Sequence, residues 1–240
     1  MRPQKKMQEI LLTYRFVVYC LRGIKKSVSV QRRRSVTCNR TKFPKYTMKR
    51  EYTMKKNLIF IGMPAVGKST VGIVVAKRLG MHFIDTDLLI QEQEHKLLRE
   101  IIDDVGLEGF LKIEDQVNAS VKAKNSVISP GGSVIYCENA MKHYKNIGTI
   151  VYLKASYQTI KKRIRNPKKR GVVLKEGQSL KDLYYERVPY FEKYADITVC
   201  EDGCRIEDTI KNVLNAVRKY KKRTESRKKL DNTVKRELKY

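Results

Sequence analysis

The chain has 240 residues, room for one α/β domain of ordinary size with a full core and little room for a second. Its 52 Lys and Arg against 25 Asp and Glu give a formal charge of +27, concentrated at the ends: residues 1–54 hold 15 basic and 2 acidic residues, 218–240 hold 11 and 3, and 55–217 hold 26 and 20. So mildly basic a core argues against a nucleic-acid-binding domain, and no apolar run reaches the roughly 18 residues of a membrane span, the longest, 11–21, being interrupted by Arg15.

In chain order, the first 54 residues carry Arg32, Arg33 and Arg34 in a row, few acids and no sustained amphipathic period, so they are expected to be a basic, disordered extension. Three origins fit: an Arg-rich targeting peptide, a nucleic-acid tail, or translated upstream sequence before a start at Met48 or Met54. The third is preferred, because Met54 stands directly before Lys55, Lys56 and an apolar strand. From Asn57 short apolar runs alternate with longer amphipathic stretches, the pattern of repeated βα units. Strands are predicted over 57–61, 82–84, 126–129, 149–153 and 197–199, and helices over 68–79, 88–105, 107–123, 157–165, 180–194 and 206–220. Such an alternation makes an α/β fold with a doubly wound five-stranded parallel sheet, whose ligands gather at the carboxyl ends of the strands. Residues 218–240 read as a basic tail continuing the last helix, leaving 55–217 as the domain. The five cysteines are an odd number with no C-x-x-C pair, which suits a reduced, cytoplasmic chain; Cys200 and Cys204 read as ordinary thiols rather than as part of a metal site.

Residues 62–69, Gly-Met-Pro-Ala-Val-Gly-Lys-Ser, match G-x-x-x-x-G-K-[ST] between the first strand and a helix, where the motif has a mechanism. Gly62 and Gly67 let the backbone wrap so that amides from Ala65, Val66 and the start of the helix, through Thr70, face phosphate oxygens. Lys68 bridges the β and γ phosphates, and Ser69 is placed to ligate Mg²⁺. Chance gives about one such match per hundred chains of this length before the strand and helix are required, so ATP and Mg²⁺ are the expected nucleotide and metal.

The next strand ends Phe83-Ile84-Asp85-Thr86-Asp87, with carboxylates alternating at the phosphate-facing edge. One can reach the metal while the other accepts a hydrogen bond from an acceptor hydroxyl. Asp85 reads as functional; Asp87 fits catalysis and an N-cap for a helix starting at Leu88 equally well. Ser129-Pro130-Gly131-Gly132-Ser133 sets two adjacent glycines at another strand end, where amides can contact substrate, although an ordinary turn has the same composition. Residues 161–175 combine dense positive charge with Pro167 and Gly171, as a mobile basic lid would, and Arg170 is its best candidate to close over phosphates.

With residues 62–70, Asp85-x-Asp87, Gly109-Phe110, Gly131-Gly132, Arg170 and Arg187-Val188-Pro189-Tyr190 in this order, residues 55–217 resemble the shikimate kinase family. Adenylate kinase-like proteins share the P-loop and lid but lack this Asp-x-Asp strand end. The resemblance implies a P-loop NTPase fold of the nucleoside monophosphate kinase kind, with a mobile lid. By motif it implies that Lys68 holds phosphates, that Ser69 and Asp85 serve Mg²⁺, and that Asp87 binds the acceptor hydroxyl. Gly131 and Gly132 would line the acceptor pocket, Arg170 would act on phosphate, Arg187 would grip the substrate carboxylate, and Arg163 would pack near adenine. The sequence departs from the family in three places. The family's Gly-Phe-Arg, whose arginine also pairs with the shikimate carboxylate, is Gly109-Phe110-Leu111; its Gly-Gly-Gly ends in Ser133; and Arg-Pro-Leu-Leu in the lid is Arg170-Gly171-Val172-Val173. These changes leave ATP handling intact and fall on acceptor recognition, where loss of one charge-assisted bidentate contact costs roughly 2–5 kcal/mol.

The expected function is ATP-dependent phosphorylation of a hydroxyl on a small molecule, with shikimate giving shikimate 3-phosphate and ADP as the leading case. A relative acting on another small polyol or hydroxy acid is the alternative, and an ATP-binding nucleic-acid-associated protein the third reading. The chain is expected to be a monomer with no specific nucleic-acid partner and no membrane partner.

Overall fold

The computed structural model describes residues 57–164, 172, 174, 175 and 177–237, with side chains described through residue 226. The basic extension, the lid residue Arg170 and its neighbour Gly171 lie outside the described residues. The strands are β1 (Asn57–Ile61), β2 (His82–Asp85), β3 (Ser126–Ser129), β4 (Gly148–Lys154) and β5 (Ile197–Cys200). They form one sheet in the order β2-β3-β1-β4-β5, and every pairing is parallel. β1, Asn-Leu-Ile-Phe-Ile, is buried at every position, as a central strand covered on both faces must be. It pairs with β4 from Asn57↔Gly148 to Ile61↔Tyr152. At the amino-terminal edge of the sheet, the Asn57 side chain donates to the carbonyls of Ala123 (2.8 Å) and Ile147 (3.2 Å) and accepts from the Ser126 amide (3.0 Å). That ties together the starts of three strands and leaves their carboxyl ends free for chemistry.

The helices are α1 (Lys68–Leu79), α2 (Thr86–Glu94), α3 (Leu98–Ser120), α4 (Glu138–Ile147), α5 (Tyr157–Arg163), α6 (Leu180–Tyr194) and α7 (Ile206–Glu237), with a 3₁₀ turn at Val134–Tyr136. The stretch predicted as one helix over 88–105 is interrupted: α2 ends at His95, which takes a left-handed φ of 53°, and α3 starts three residues later. α3 itself kinks at Gly106, whose φ of 69° breaks the helical run where the sequence reading placed a boundary. α4 was not predicted, although Cys137, Ala140, Met141 and Tyr144 are buried at helical spacing, because the run is short and otherwise polar. α7 buries Ile210, Val213, Leu214 and Val217 and then continues as an uninterrupted helix through Glu237.

Two apolar clusters hold these elements. The larger surrounds the sheet and contains Phe60, Ile128, Tyr152 and Phe191 among others. The smaller, Ile90, Ile101, Phe110 and Val117, lies between α2 and α3. At about 1.5–3 kcal/mol per fully buried side chain, these four are enough to fix α3 against α2. Phe110 and the residues one turn beyond it are thereby held at one wall of the cleft above the strand ends.

Candidate active site

The ends of β2, β3 and β1 are neighbours in the sheet, and the register Asp85↔Ser129 sets two of them side by side. From β1 the chain turns at Gly62, whose φ is 149°; a Cβ there would lie 2.7 Å from the Leu153 carbonyl oxygen, so a larger residue would push the loop off β4. Gly67, with φ 109°, is the N-cap of α1, and no side chain caps that end, so the first amides of the helix remain available to an anion. Lys68 folds back over the loop and donates to the carbonyls of Gly62 (3.1 Å) and Met63 (3.4 Å). Desolvation holds its ammonium below the ordinary lysine pKa, against the opposing pull of Asp87.

Asp85 has two tasks. Its Oδ2 accepts from Ser69 Oγ at 2.8 Å, and its Oδ1 accepts from the Asp87 amide at 3.2 Å. The second bond is the N-cap of α2, which begins at Thr86 rather than Leu88, so capping falls to Asp85. The Asp87 carboxylate is left to line the cavity. Burial first, and then the neighbouring Asp85, push its pKa up to about 6, with Lys68 opposing. Ser129 Oγ stands 3.2 Å from Ser69 Oγ. Hydroxyl and carboxylate oxygens grouped in this way are the hard donor set that Mg²⁺ takes.

A cavity of about 330 Å³ opens here, walled by Lys68, Asp87, Phe110, Glu114, Gly131 and Arg187 and bordered by Gly132, Ser133 and Val172. The P-loop, Gly131-Gly132, Asp87 and Arg187 are therefore brought together as the sequence reading placed them. Arg187, on α6, is buried, and its guanidinium lies 5.4 Å from the centre of the Tyr136 ring. A Cβ on Gly132 would sit 2.9 Å from Pro64 Cδ and 3.2 Å from Arg187 Nη1. One on Gly131 would sit 2.5 Å from Glu114 Oε1 and 3.0 Å from Asp87 Oδ1. Gly131 is thus favoured by the close approach of Glu114 and Asp87, and Gly132 by the ring of Pro64 in the P-loop, rather than by a positive φ.

Glu114 was not foreseen. It is wholly buried, and its Oε1 has no hydrogen-bond partner among the described residues. Burial pushes its pKa up to about 7, the Ser133 hydroxyl opposing and Asp87 reinforcing the shift. The signal in the sequence was an acid between Phe110 and Val117 on the apolar face of α3. Leu111, where the resemblance leads one to expect an arginine, packs on the main apolar cluster and is not part of the cavity wall.

A second cavity, of about 200 Å³, lies across the P-loop and shares Ala65, Gly67 and Thr70 with the first. Arg163 borders it, with Nη1 donating to the Val66 carbonyl (2.8 Å) and to Glu201 Oε2 (2.8 Å). Glu201, another residue the sequence reading passed over, is nearly wholly buried and anchors that arginine to the loop. Among the described residues no helix is long and apolar enough to cross a membrane.

A family model described as shikimate kinase matches residues 64–218. Shikimate kinase from Clostridium botulinum is 34% identical over 170 residues, which cover 69% of this chain and 98% of that protein. Threonine synthase-like 1 from Macaca fascicularis is 38% identical over 168 residues, 69% of this chain but only 23% of that protein, so the chain spans about a quarter of the length of such relatives. Among solved structures, shikimate kinase from Acinetobacter baumannii in complex with shikimate superposes with a TM-score of 0.63 at 26% identity, covering 69% of this chain and 94% of that one. The fold is that of the P-loop kinases, and by both the family match and these relatives the chain belongs to the shikimate kinase family.

Proposed function

We propose that the chain transfers the γ-phosphoryl group of ATP to a hydroxyl of a small carboxylated acceptor, with shikimate, giving shikimate 3-phosphate and ADP, as the leading substrate. The observation that carries the reading is that Asp87 and Arg187 line the same cavity as the P-loop. A bound hydroxy acid can therefore meet a carboxylate at its hydroxyl and a guanidinium at its own carboxylate. Lys68 and the amides of residues 65–70 hold the phosphates, and Arg163 borders the side cavity, which suits the adenine. Ser69 and Asp85 are the residues that would hold Mg²⁺, which when bound neutralises charge on the β and γ phosphates. Asp87 orients the acceptor hydroxyl and takes up its proton as the new O–P bond forms. Arg187 fixes the acceptor through its carboxylate, an arrangement in which positioning lowers the barrier more than any covalent step.

Another small hydroxy acid or polyol is the second reading. It is favoured by Leu111, which contributes no charge to the cavity wall, and by identity to threonine synthase-like 1 as high as that to shikimate kinases. Proposed alongside are a catalytic unit at 55–217, outside which the two basic ends lie, Arg170 as a phosphate contact, a monomer, and a cytoplasmic setting. ADP release by the full chain with Mg·ATP and shikimate tests the reading. Asp87→Asn should lower kcat by about a hundredfold or more with little change in the KM for ATP. A variant that loses only thermal stability would remove Asp87 from the chemistry.

A further inference from the structure

Glu114 is difficult to reconcile with an acceptor that carries only hydroxyls and one carboxylate. Its side chain is wholly buried, and Oε1 is unpartnered among the described residues. It is nonetheless part of the cavity wall, where Oε1 and Asp87 Oδ1 flank the same point beside Gly131. Of the cations near it, Lys68 is committed to the P-loop and its phosphates, and Arg187 faces Gly132 and the acceptor carboxylate. Leu111, one helical turn before Glu114 and so its neighbour on α3, supplies no charge. Burial raises the pKa of Glu114 against a hydrogen bond from Ser133 and the attraction of Arg187 and Lys68, so its ionised form is costly in this wall unless a further cation meets it. A ligand hydroxyl would give Oε1 a hydrogen bond but add no charge to offset the burial, whereas a ligand ammonium would supply both.

Resting on the phosphotransfer reading above, we propose that the acceptor is a hydroxy amino acid, its ammonium held by Glu114, its carboxylate by Arg187 and its hydroxyl by Asp87. The positive charge that pairs with Glu114 then arrives with the substrate instead of being built into the protein. In the reaction the bond between the γ phosphorus and the β–γ bridging oxygen breaks and ADP leaves with that electron pair. The acceptor oxygen forms the new bond to phosphorus, and its proton passes to Asp87 and on to solvent. Glu114 binds and orients and takes no part in bond making.

The test uses the full chain with Mg·ATP and measures ADP release with L-serine, L-threonine and L-homoserine, each beside its des-amino hydroxy acid, and with shikimate. At least one amino acid should exceed its des-amino counterpart in kcat/KM by roughly a hundredfold, the discrimination expected of a site built around a charged group. Glu114→Gln should shrink that ratio by about ten- to a hundredfold, mainly through KM. Comparison of the paired acceptors with the unmodified chain decides the matter even if the variant folds poorly. Turnover of shikimate or of the des-amino acids without turnover of the amino acids would overturn this inference and leave the phosphotransfer reading standing. A ratio unchanged by Glu114→Gln would also overturn it, and ADP release with none of the acceptors would remove both.

Discussion

At the phosphate end of the cavity one continuous segment, residues 62–70, supplies the loop, the lysine, the hydroxyl and the start of α1. The acceptor end takes Asp87 from α2, Glu114 from α3, Gly131 from the loop after β3 and Arg187 from α6. A site made from one segment carries its functional groups together in that segment, with distant residues such as Leu153 and Arg163 only bracing it. A site assembled from separate elements can change its ligand by exchanging a single side chain while the fold remains. This chain shows both behaviours: its P-loop matches the general motif at every fixed position, while of its departures from the family resemblance Ser133 borders the acceptor cavity and Leu111 lies one helical turn from Glu114.

Breaking the phosphate end should have the largest effect. Lys68→Ala removes the ammonium that meets the transferring phosphoryl group, and kcat should fall about a thousandfold with every acceptor alike. The side chain's bonds go to loop carbonyls at 3.1 and 3.4 Å, so the melting temperature should move little. ADP-release kinetics beside a thermal melt check both halves. A loss confined to one acceptor would mean that the two ends are not separate.

Legibility followed the same division. The P-loop and the Asp85-x-Asp87 strand end could be placed because each sits at the end of a strand in a short motif whose chemistry constrains it, whereas Arg187, in the middle of α6, was placed only by the family resemblance. Whether Asp87 capped α2 or served the chemistry could not be read, since the sequence reading starts the helix at Leu88; the backbone decided it by starting the helix at Thr86, which gives the cap to Asp85. Glu114 went unread because a glutamate within a helix is usually a solvated residue. Only the packing of Ile90, Ile101, Phe110 and Val117 turns that face of α3 inward. Glu201 escaped for a similar reason: its meaning is its bond to Arg163, across 38 residues of chain.

An intermediate effect belongs to Glu114 and concerns stability. A carboxyl whose folded pKa lies near 7, above its ordinary 4.5, holds its proton more tightly when folded. Folding is therefore unpenalised below about pH 4.5, loses stability as pH rises through the interval to 7, and bears the full cost above it. Glu114→Gln removes the ionisable group, so in the absence of ligand the variant should be more stable than the parent at pH 8, by about 1–3 kcal/mol. The difference should vanish near pH 4. Denaturant melts across this range give the curve, and a variant equally destabilised at both ends would show that Glu114 serves packing alone.

The smallest change should come from Leu111→Arg, which is also the sharpest probe of the acceptor end. Leu111 is partly buried against the main cluster and one helical turn from Glu114, so an arginine there can swing its guanidinium toward that carboxylate while its stem keeps some apolar contact. If Glu114 waits for a substrate ammonium, the new guanidinium competes for it. KM for the preferred hydroxy amino acid should then rise about tenfold, and KM for shikimate should fall, since a second arginine becomes available to its carboxylate. ATP is bound at the other end, so its KM should stay within error. If shikimate is already used efficiently and the substitution leaves every KM unchanged, then position 111 has no influence on the cavity. In that case the acceptor end is specified by Asp87 and Arg187 without help from α3.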